Sequence, residues 1–249
     1  MNGKYSRRAD HEIEHGKRLA RGNPELAWGW KTPAGQVRAE RRAERIAIGA
    51  QLGPGVLALE VGCGTGLFTE MFARTGARIV AVDISSDLLE KAIARNLPPD
   101  RVRFERKKFE ECDVDGPFDT VIGSSVLHHL EIDEALSRIF DLLKPGGIMS
   151  FAEPNMLNPQ IFIERKFTFL RPWLTQVSPD ETAFLRWRLH GMLLKTGFDE
   201  VEITPFDWLH PHTPAWLIGF INGTGRLMEK IPLLQEFAGS LFIRCRRPL

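Results

Sequence analysis

The sequence of 249 residues predicts an α/β fold in which a parallel sheet is covered by helices on both faces. Two observations carry that reading. From residue 56 onward, short apolar and β-branched runs alternate with amphipathic stretches, and a glycine-rich turn joins the first run to the first such stretch. Seven strand-like runs occur, with no internal repeat and no low-complexity linker.

Residues 1–50 form an N-terminal helical segment. Residues 1–48 hold eleven Lys or Arg against six Asp or Glu, a balance of +5 that leaves −4 for the remainder of a chain whose net charge is +1. Residues 11–15 read HEIEH, the H-E-x-x-H pattern of zinc proteases. Charged flanks, SRRAD and GKRLARG, disfavour the buried surroundings a catalytic zinc requires, so the expectation is a surface helix able to fold over a bound ligand, with no metal site.

The core spans 51–152. VLALEV (56–61) is the first strand, and Leu67–Thr75 the first helix, closed by Gly76. IVAV (79–82) ends at Asp83, and the helix Asp87–Arg95 is closed by Pro98. VRF (102–104) and FDTVIG (118–123) are the third and fourth strands. The helix Asp133–Leu143, with apolar residues at i, i+3, i+4 and i+7, stops at Pro145-Gly146-Gly147 before GIMSFA (147–152). VEIT (201–204) and SLFIRC (240–245) complete the set. Residues 153–249 form a second half with two long insertions, 153–194 and 205–239, both rich in aromatics and expected to wall a substrate pocket. The whole reads as one domain, 1–249.

Composition narrows the class. A hydrophobic fraction of 43% suits a globular protein. No apolar run approaches the roughly 18 residues of a membrane span, and the start lacks the apolar core of a secretory signal, so the expectation is a cytoplasmic protein. Cys63, Cys112 and Cys245 are too few and too scattered for a disulfide framework. A nucleic-acid partner would call for a stronger basic bias.

The turn LEVGCGTG (59–66) lets the main chain approach a ligand closely, and Asp83 follows Gly62 by 21 residues at the end of the adjacent strand. A carboxylate there can accept hydrogen bonds from both hydroxyls of a ribose, so the ligand contains a nucleoside. The dinucleotide pattern G-x-G-x-x-G fails, since its third glycine falls on Leu67 or Thr69, and no P-loop sequence is present.

Four motifs in order, LEVGCGTG, AVDIS, FDTVIGSSVLHHL and LLKPGGIMSFAEP, resemble the class I S-adenosylmethionine-dependent methyltransferases. The likeness covers about residues 56–152 and points to the small-molecule branch, which includes UbiE-like and sugar O-methyltransferases. It implies a Rossmann-like, seven-stranded, mostly parallel sheet with an antiparallel last strand, and S-adenosyl-L-methionine as cofactor. Carried over by position, Glu60, Gly62, Cys63, Gly64 and Gly66 would line the methionine end, Asp83 would hold the ribose and Ile84 would lie against adenine, with Ser124 nearby at the end of the fourth strand. The family's usual acidic partner of the adenine amine falls on Lys108, followed by Phe109. Lysine is donor-only, so a backbone carbonyl, Glu110 or Glu111 would have to accept instead, and Lys108 is expected to turn outward.

A sulfonium methyl needs only an aligned nucleophile, plus a base where that nucleophile is an O–H or acidic C–H group. His128 and His129 follow the fourth strand at the ligand-binding edge, and Glu153 follows the fifth. The resemblance implies a His base assisted by that carboxylate, as in some sugar O-methyltransferases. His190, His210 and His212 are weaker candidates. Trp28, Trp30, Trp173, Phe162, Phe167 and Phe169 suggest an apolar or aromatic acceptor. The segment GSSVLHHL lacks the [DNS]-P-P-[YFW] signature of amino-group methyltransferases, and no carboxylate follows Ile122 until Glu131, as a metal-dependent catechol site would require. The expected function is methyl transfer to oxygen or carbon of a small, partly apolar acceptor. An rRNA or tRNA methyltransferase using the +5 segment, or a catalytically silent cofactor-binding subunit, is the alternative.

Overall fold

The computed structural model describes residues 3–166 and 183–249. Three helices lead the chain: α1 (Gly3–Ala20), α2 (Pro24–Ala27) and α3 (Pro33–Gly49). There follow β1 (Leu57–Val61), α4 (Leu67–Ala73), β2 (Arg78–Asp83), α5 (Ser86–Ile93), β3 (Val102–Arg106), β4 (Phe118–Ser124), α6 (Ile132–Leu142) and β5 (Leu143–Pro154). The second half adds α7 (Pro159–Lys166), α8 (Arg186–Thr196), β6 (Asp199–Phe206), α9 (Ala215–Met228), α10 (Pro232–Gln235) and β7 (Ser240–Arg246).

The strands form one seven-stranded sheet in the order β3-β2-β1-β4-β5-β7-β6. β1 to β5 pair in parallel, and β7 lies antiparallel between β5 and β6. Alternation along each strand divides the core into two layers. Leu59, Val61, Val121, Met149 and Ile243 face α6 and α8, whereas Ala58, Ile79, Ala81, Ile122 and Phe242 face α3 and α4. The strand order reverses between β1 and β4, which opens a crevice above their carboxyl ends.

The seven strands arise where the apolar runs stand. β5 is longer than GIMSFA because Leu143 already pairs with Phe118; the register shifts between Phe118 and Thr120, so the Pro145-Gly146-Gly147 turn bulges within the strand. Helix starts follow local chemistry. Thr32 caps α3 by accepting from the Gly35 amide at 2.9 Å, with Pro33 in the first turn, and Ser85 caps α5.

Both long insertions contribute to the cavity at this crevice, through Asn158, Gln160 and Ile161 of the first and residues 207–212 of the second, but α8, α9 and α10 do not line it. α8, at the end of the first, is a crossover helix that buries Leu189 and Leu193 against the α6 layer. In the second, the α9 and α10 side chains Trp216, Phe220, Leu227 and Leu233 are exposed. Phe167, Phe169 and Trp173 lie outside the described residues.

Ile139 of α6 is fully buried in the larger core layer. Ile139→Ala is expected to destabilise the fold by about 2–5 kcal/mol, because the surroundings only partly close over the lost volume. Urea unfolding with an unchanged m-value and a lowered midpoint would report it.

Candidate functional site

Above the switch point lies a cavity of about 760 Å³. The turns after β1, β2 and β4 form its floor, while α1, the α2–α3 connection and residues 207–212 form its walls.

The glycine turn reaches its shape through residues with positive φ. Gly62 has φ +67°, and a Cβ there would stand 2.3 Å from Val126 Cγ2, so a larger residue would displace the β4 turn. The turn's amides are used within the protein. Those of Gly62 and Cys63 donate to Val82 O at 2.8 and 3.1 Å, that of Gly64 to Asp83 Oδ2 at 2.8 Å, and that of Gly66 to Cys63 O at 2.8 Å. A turn so closed offers few donors to a phosphate, which matches the failed dinucleotide pattern. The other Asp83 oxygen accepts from the Ser85 amide at 2.8 Å. Burial pushes the Asp83 carboxyl upward, against these two amides.

Gly62, Cys63, Gly64, Asp83, Ile84, Lys108, Phe109, Ser124, His128 and His129 line this one cavity. Glu60 and Gly66 do not. Glu60 is 2% exposed beneath the floor, and burial pushes its carboxyl up to about 8. Gly66 starts α4 with φ +74°, and a Cβ there would meet Ala92 Cβ at 3.0 Å and Arg95 Cδ at 3.2 Å, so it lets α5 pack closely. Lys108 borders the cavity, and its ammonium pairs with Oε1 of the exposed Glu111 at 2.6 Å, which raises its pKa. Glu110 borders the cavity as well.

At the β4 end, Glu153 is wholly buried and surrounded by donors. Its Oε1 accepts from the Val126 and Leu127 amides, each at 2.9 Å, and its Oε2 lies 2.6 Å from His128 Nδ1. Burial alone would raise the carboxyl, but His128 and the two amides hold it below the usual carboxylate range. Glu153 does not itself reach the cavity; it acts through His128, which is 2% exposed and lines it. The His129 ring lies against that of His128, centroids 4.2 Å apart and tilted by 39°, and pairs through Nδ1 with Glu12 Oε2 at 3.1 Å.

Glu12 belongs to HEIEH, and α1 does lie over the cavity. Arg8 donates to the carbonyls of His129 at 2.7 Å and His128 at 2.8 Å, and His15 and Gly16 are buried. The helix is therefore amphipathic in place rather than charged all round. Of the two histidines of the motif, His11 is exposed and His15 buried.

Trp28, Trp30, His210 and His212 line the cavity, while His190 and Phe162 are exposed. Glu25 ties this wall to the glycine turn, accepting from Thr65 Oγ1 at 2.8 Å and pairing with Arg95. Among the cavity residues that the sequence reading does not single out are Arg38 and Arg42 of α3. Arg38 pairs with Asp207 at 2.7 Å. Arg42 is 2% exposed, and burial together with Arg38 lowers its guanidinium to about 10, so it stays cationic at neutral pH. The signal was present: Ala39, Arg42, Ala43 and Ile46 share the i, i+3, i+4, i+7 face that packs inward.

A family model described as a methyltransferase domain matches residues 59–149. A ubiquinone biosynthesis O-methyltransferase of Bradyrhizobium sp. (strain ORS 278) is 30% identical over 177 residues, 67% of this chain and 69% of that protein. The chain belongs to the class I S-adenosylmethionine-dependent methyltransferases. Its cofactor is S-adenosylmethionine. A ubiquinone biosynthesis O-methyltransferase of Xanthomonas campestris pv. campestris (strain B100) is 33% identical over 123 residues, 48% of this chain and 49% of that protein, so the chain spans about half the length of that relative. Among solved structures, the N-methyltransferase NodS from Bradyrhizobium japonicum WM9, in complex with S-adenosyl-L-homocysteine, superposes with a TM-score of 0.64 at 18% identity, over 95% of this chain and 98% of that one. The donor set suits this cofactor: a half-buried carboxylate at Asp83, apolar Ile84 and Phe109 beside it, and a glycine turn with few free amides.

Two outcomes follow. Asp83→Ala is expected to weaken S-adenosylhomocysteine binding by about 2 kcal/mol or more in calorimetry, whereas Lys108→Ala should change it by less than about threefold. Glu60 has a folded-state pKa raised above its unfolded value, so its contribution is fully present below about pH 4.3 and is lost as pH rises through about 8. Glu60→Gln should therefore remove a fall in stability between pH 5 and 8, seen as a flatter pH profile of the urea midpoint than in the wild type.

Proposed function

We propose that this methyltransferase transfers the methyl group of S-adenosylmethionine to an oxygen or carbon of a small, partly apolar acceptor, with His128 as the base. The observation that carries the reading is the buried His128–Glu153 pair, 2.6 Å from Nδ1 to Oε2, at the wall of the cavity. Asp83 would hold the ribose, Ile84 and Phe109 the adenine face, and Gly62, Cys63, Gly64 and Ser124 the methionine side. With Lys108 engaged by Glu111, the Glu110 carboxylate is the group suited to accept from the adenine amine.

When bound, the cofactor supplies an electrophilic methyl on a sulfonium centre. The chain's own part is to orient the acceptor, exclude water and remove a proton. Glu153 accepts a hydrogen bond from His128 Nδ1–H, which leaves Nε2 as the basic nitrogen. As the imidazole takes the acceptor's proton, the ionised Glu153 stabilises the imidazolium, and the amides of Val126 and Leu127 keep that carboxylate in place. The aromatic wall of Trp28 and Trp30 suits an apolar acceptor.

The alternatives draw less support. Arg8, Arg38, Arg41 and Arg42 of the +5 segment are engaged inside the fold, with backbone carbonyls, Asp207, Glu229 and buried hydroxyls, so they do not form a phosphate-contacting face. A silent subunit has no need of a buried, oriented histidine.

His128→Ala is expected to lower turnover by roughly 100-fold while S-adenosylhomocysteine affinity barely changes. Glu153→Gln should act similarly, because its amide can serve the two backbone donors only by turning its own N–H toward Nδ1, which favours the tautomer with Nε2 protonated. Tritium transfer from labelled S-adenosylmethionine to a cell extract, separated into small-molecule, lipid and RNA fractions, identifies the acceptor class. Label confined to RNA, or two variants with wild-type turnover, would overturn the reading.

A further inference from the structure

Arg42 is a buried cation whose hydrogen bonds all go to neutral groups. Its Nη1 donates to Ser125 Oγ at 3.0 Å and to Ala152 O at 2.8 Å, and its Nη2 to Ser240 Oγ at 2.5 Å. Among the described residues no carboxylate pairs with it. The nearby carboxylates are engaged elsewhere, Asp207 by Arg38 and Glu153 by His128. Its Nε is buried with no hydrogen-bond partner, although the residue lines the cavity. Trp208 lines the same cavity, and its buried indole N–H also lacks a partner. A guanidinium taken from water without an anion carries a large desolvation cost, which a charged oxygen beside it would offset.

Its position assigns that oxygen to one side of the cavity. Ser125 follows β4, Ala152 is in β5 and Ser240 begins β7, so Arg42 stands over the half of the sheet away from Asp83 at the end of β2 and Ile84 just after it. The indole of Trp30 lies 5.6 Å from the Arg42 guanidinium and gives that region an aromatic wall.

We propose that Arg42 forms a carboxylate-binding subsite for the acceptor, and that the acceptor of this methyltransferase is a small aromatic or apolar acid. The proposal rests on the methyl-transfer reading above and names its substrate class. The Arg42 fork binds the carboxylate and Trp30 packs against the apolar body.

Binding of benzoate, trans-cinnamate and 1-naphthoate, each against its neutral carboxamide, is measured by calorimetry and saturation-transfer NMR on the protein saturated with S-adenosylhomocysteine. At least one acid is expected to bind tenfold or more tightly than its amide. Arg42→Gln should abolish that preference while changing S-adenosylhomocysteine affinity by less than threefold, and Arg42→Lys should retain part of it. Equal binding of acids and amides by the wild type overturns the subsite without recourse to any variant. The cofactor also has a carboxylate, so S-adenosyl-3-thiopropylamine, which lacks it, is measured in parallel. If Arg42→Gln weakens S-adenosylhomocysteine tenfold but leaves that analogue unchanged, Arg42 holds the cofactor and the acceptor assignment is overturned. Wild-type protein that binds no S-adenosylhomocysteine would instead overturn the methyl-transfer reading itself.

Discussion

A carboxylate with no solvent exposure has to be surrounded by donors, and the active half of this molecule is arranged around that requirement at Glu153. Two of its donors are consecutive backbone amides, so the chain after β4 must turn sharply at Val126 and Leu127 to present them. Ser125, just before, sits at φ +55°, a strained conformation for a residue with a Cβ, and is held there by the hydrogen bond its N–H donates to Ala152 O and by Arg42 donating to its hydroxyl. The third donor is His128. One buried charge therefore fixes the turn, the histidine's position and its tautomer together.

A second carboxylate plays the same part across the switch point. Asp83 accepts from the Gly64 amide and from the Ser85 amide, tying the glycine turn after β1 to the start of α5. The two oxygens retain lone pairs directed away from those amides, so the group can organise the floor and also accept from a diol. Both carboxylates lie at strand ends, on β2 and β5, where the parallel sheet brings side chains from distant parts of the sequence to one edge.

The sheet was legible because strand and helix periods are local properties: each apolar run between Val56 and Cys245 lies within an observed strand or adjoins its end. Asp83 and Glu153 on those strand ends were legible for the same reason, since strand register places them, whereas the turn after β4 places His128. Less legible was anything set by packing between distant elements. Glu60 belongs to the glycine motif by position, but strand alternation turns its side chain under the floor. α8 and α9 have similar lengths and aromatic content, yet only α8 finds the sheet, and periodicity does not distinguish a helix that packs from one that stands exposed. The charged character of HEIEH concealed a helix that buries His15 and Gly16, because one charged residue in each turn, Arg8 and then Glu12, is matched by a partner from the turn after β4.

That matching explains why a segment with a balance of +5 belongs to the fold rather than to its surface. Arg8 caps the carbonyls of His128 and His129, Arg38 neutralises Asp207, Arg41 neutralises Glu229, and Lys31 and Arg95 share Glu25. The contacts of Arg8, Arg38 and Arg41, and that of Glu25 with Arg95, join the N-terminal helices to the rest of the fold, and those of the N-terminal cations reduce the charge available to a polyanion. Arg42 alone in this set is deeply buried and has neutral partners only. A core position that retains a cation among hydroxyls and a carbonyl is less stable than an apolar one of the same shape, and its retention there is consistent with binding rather than folding as the reason for the charge.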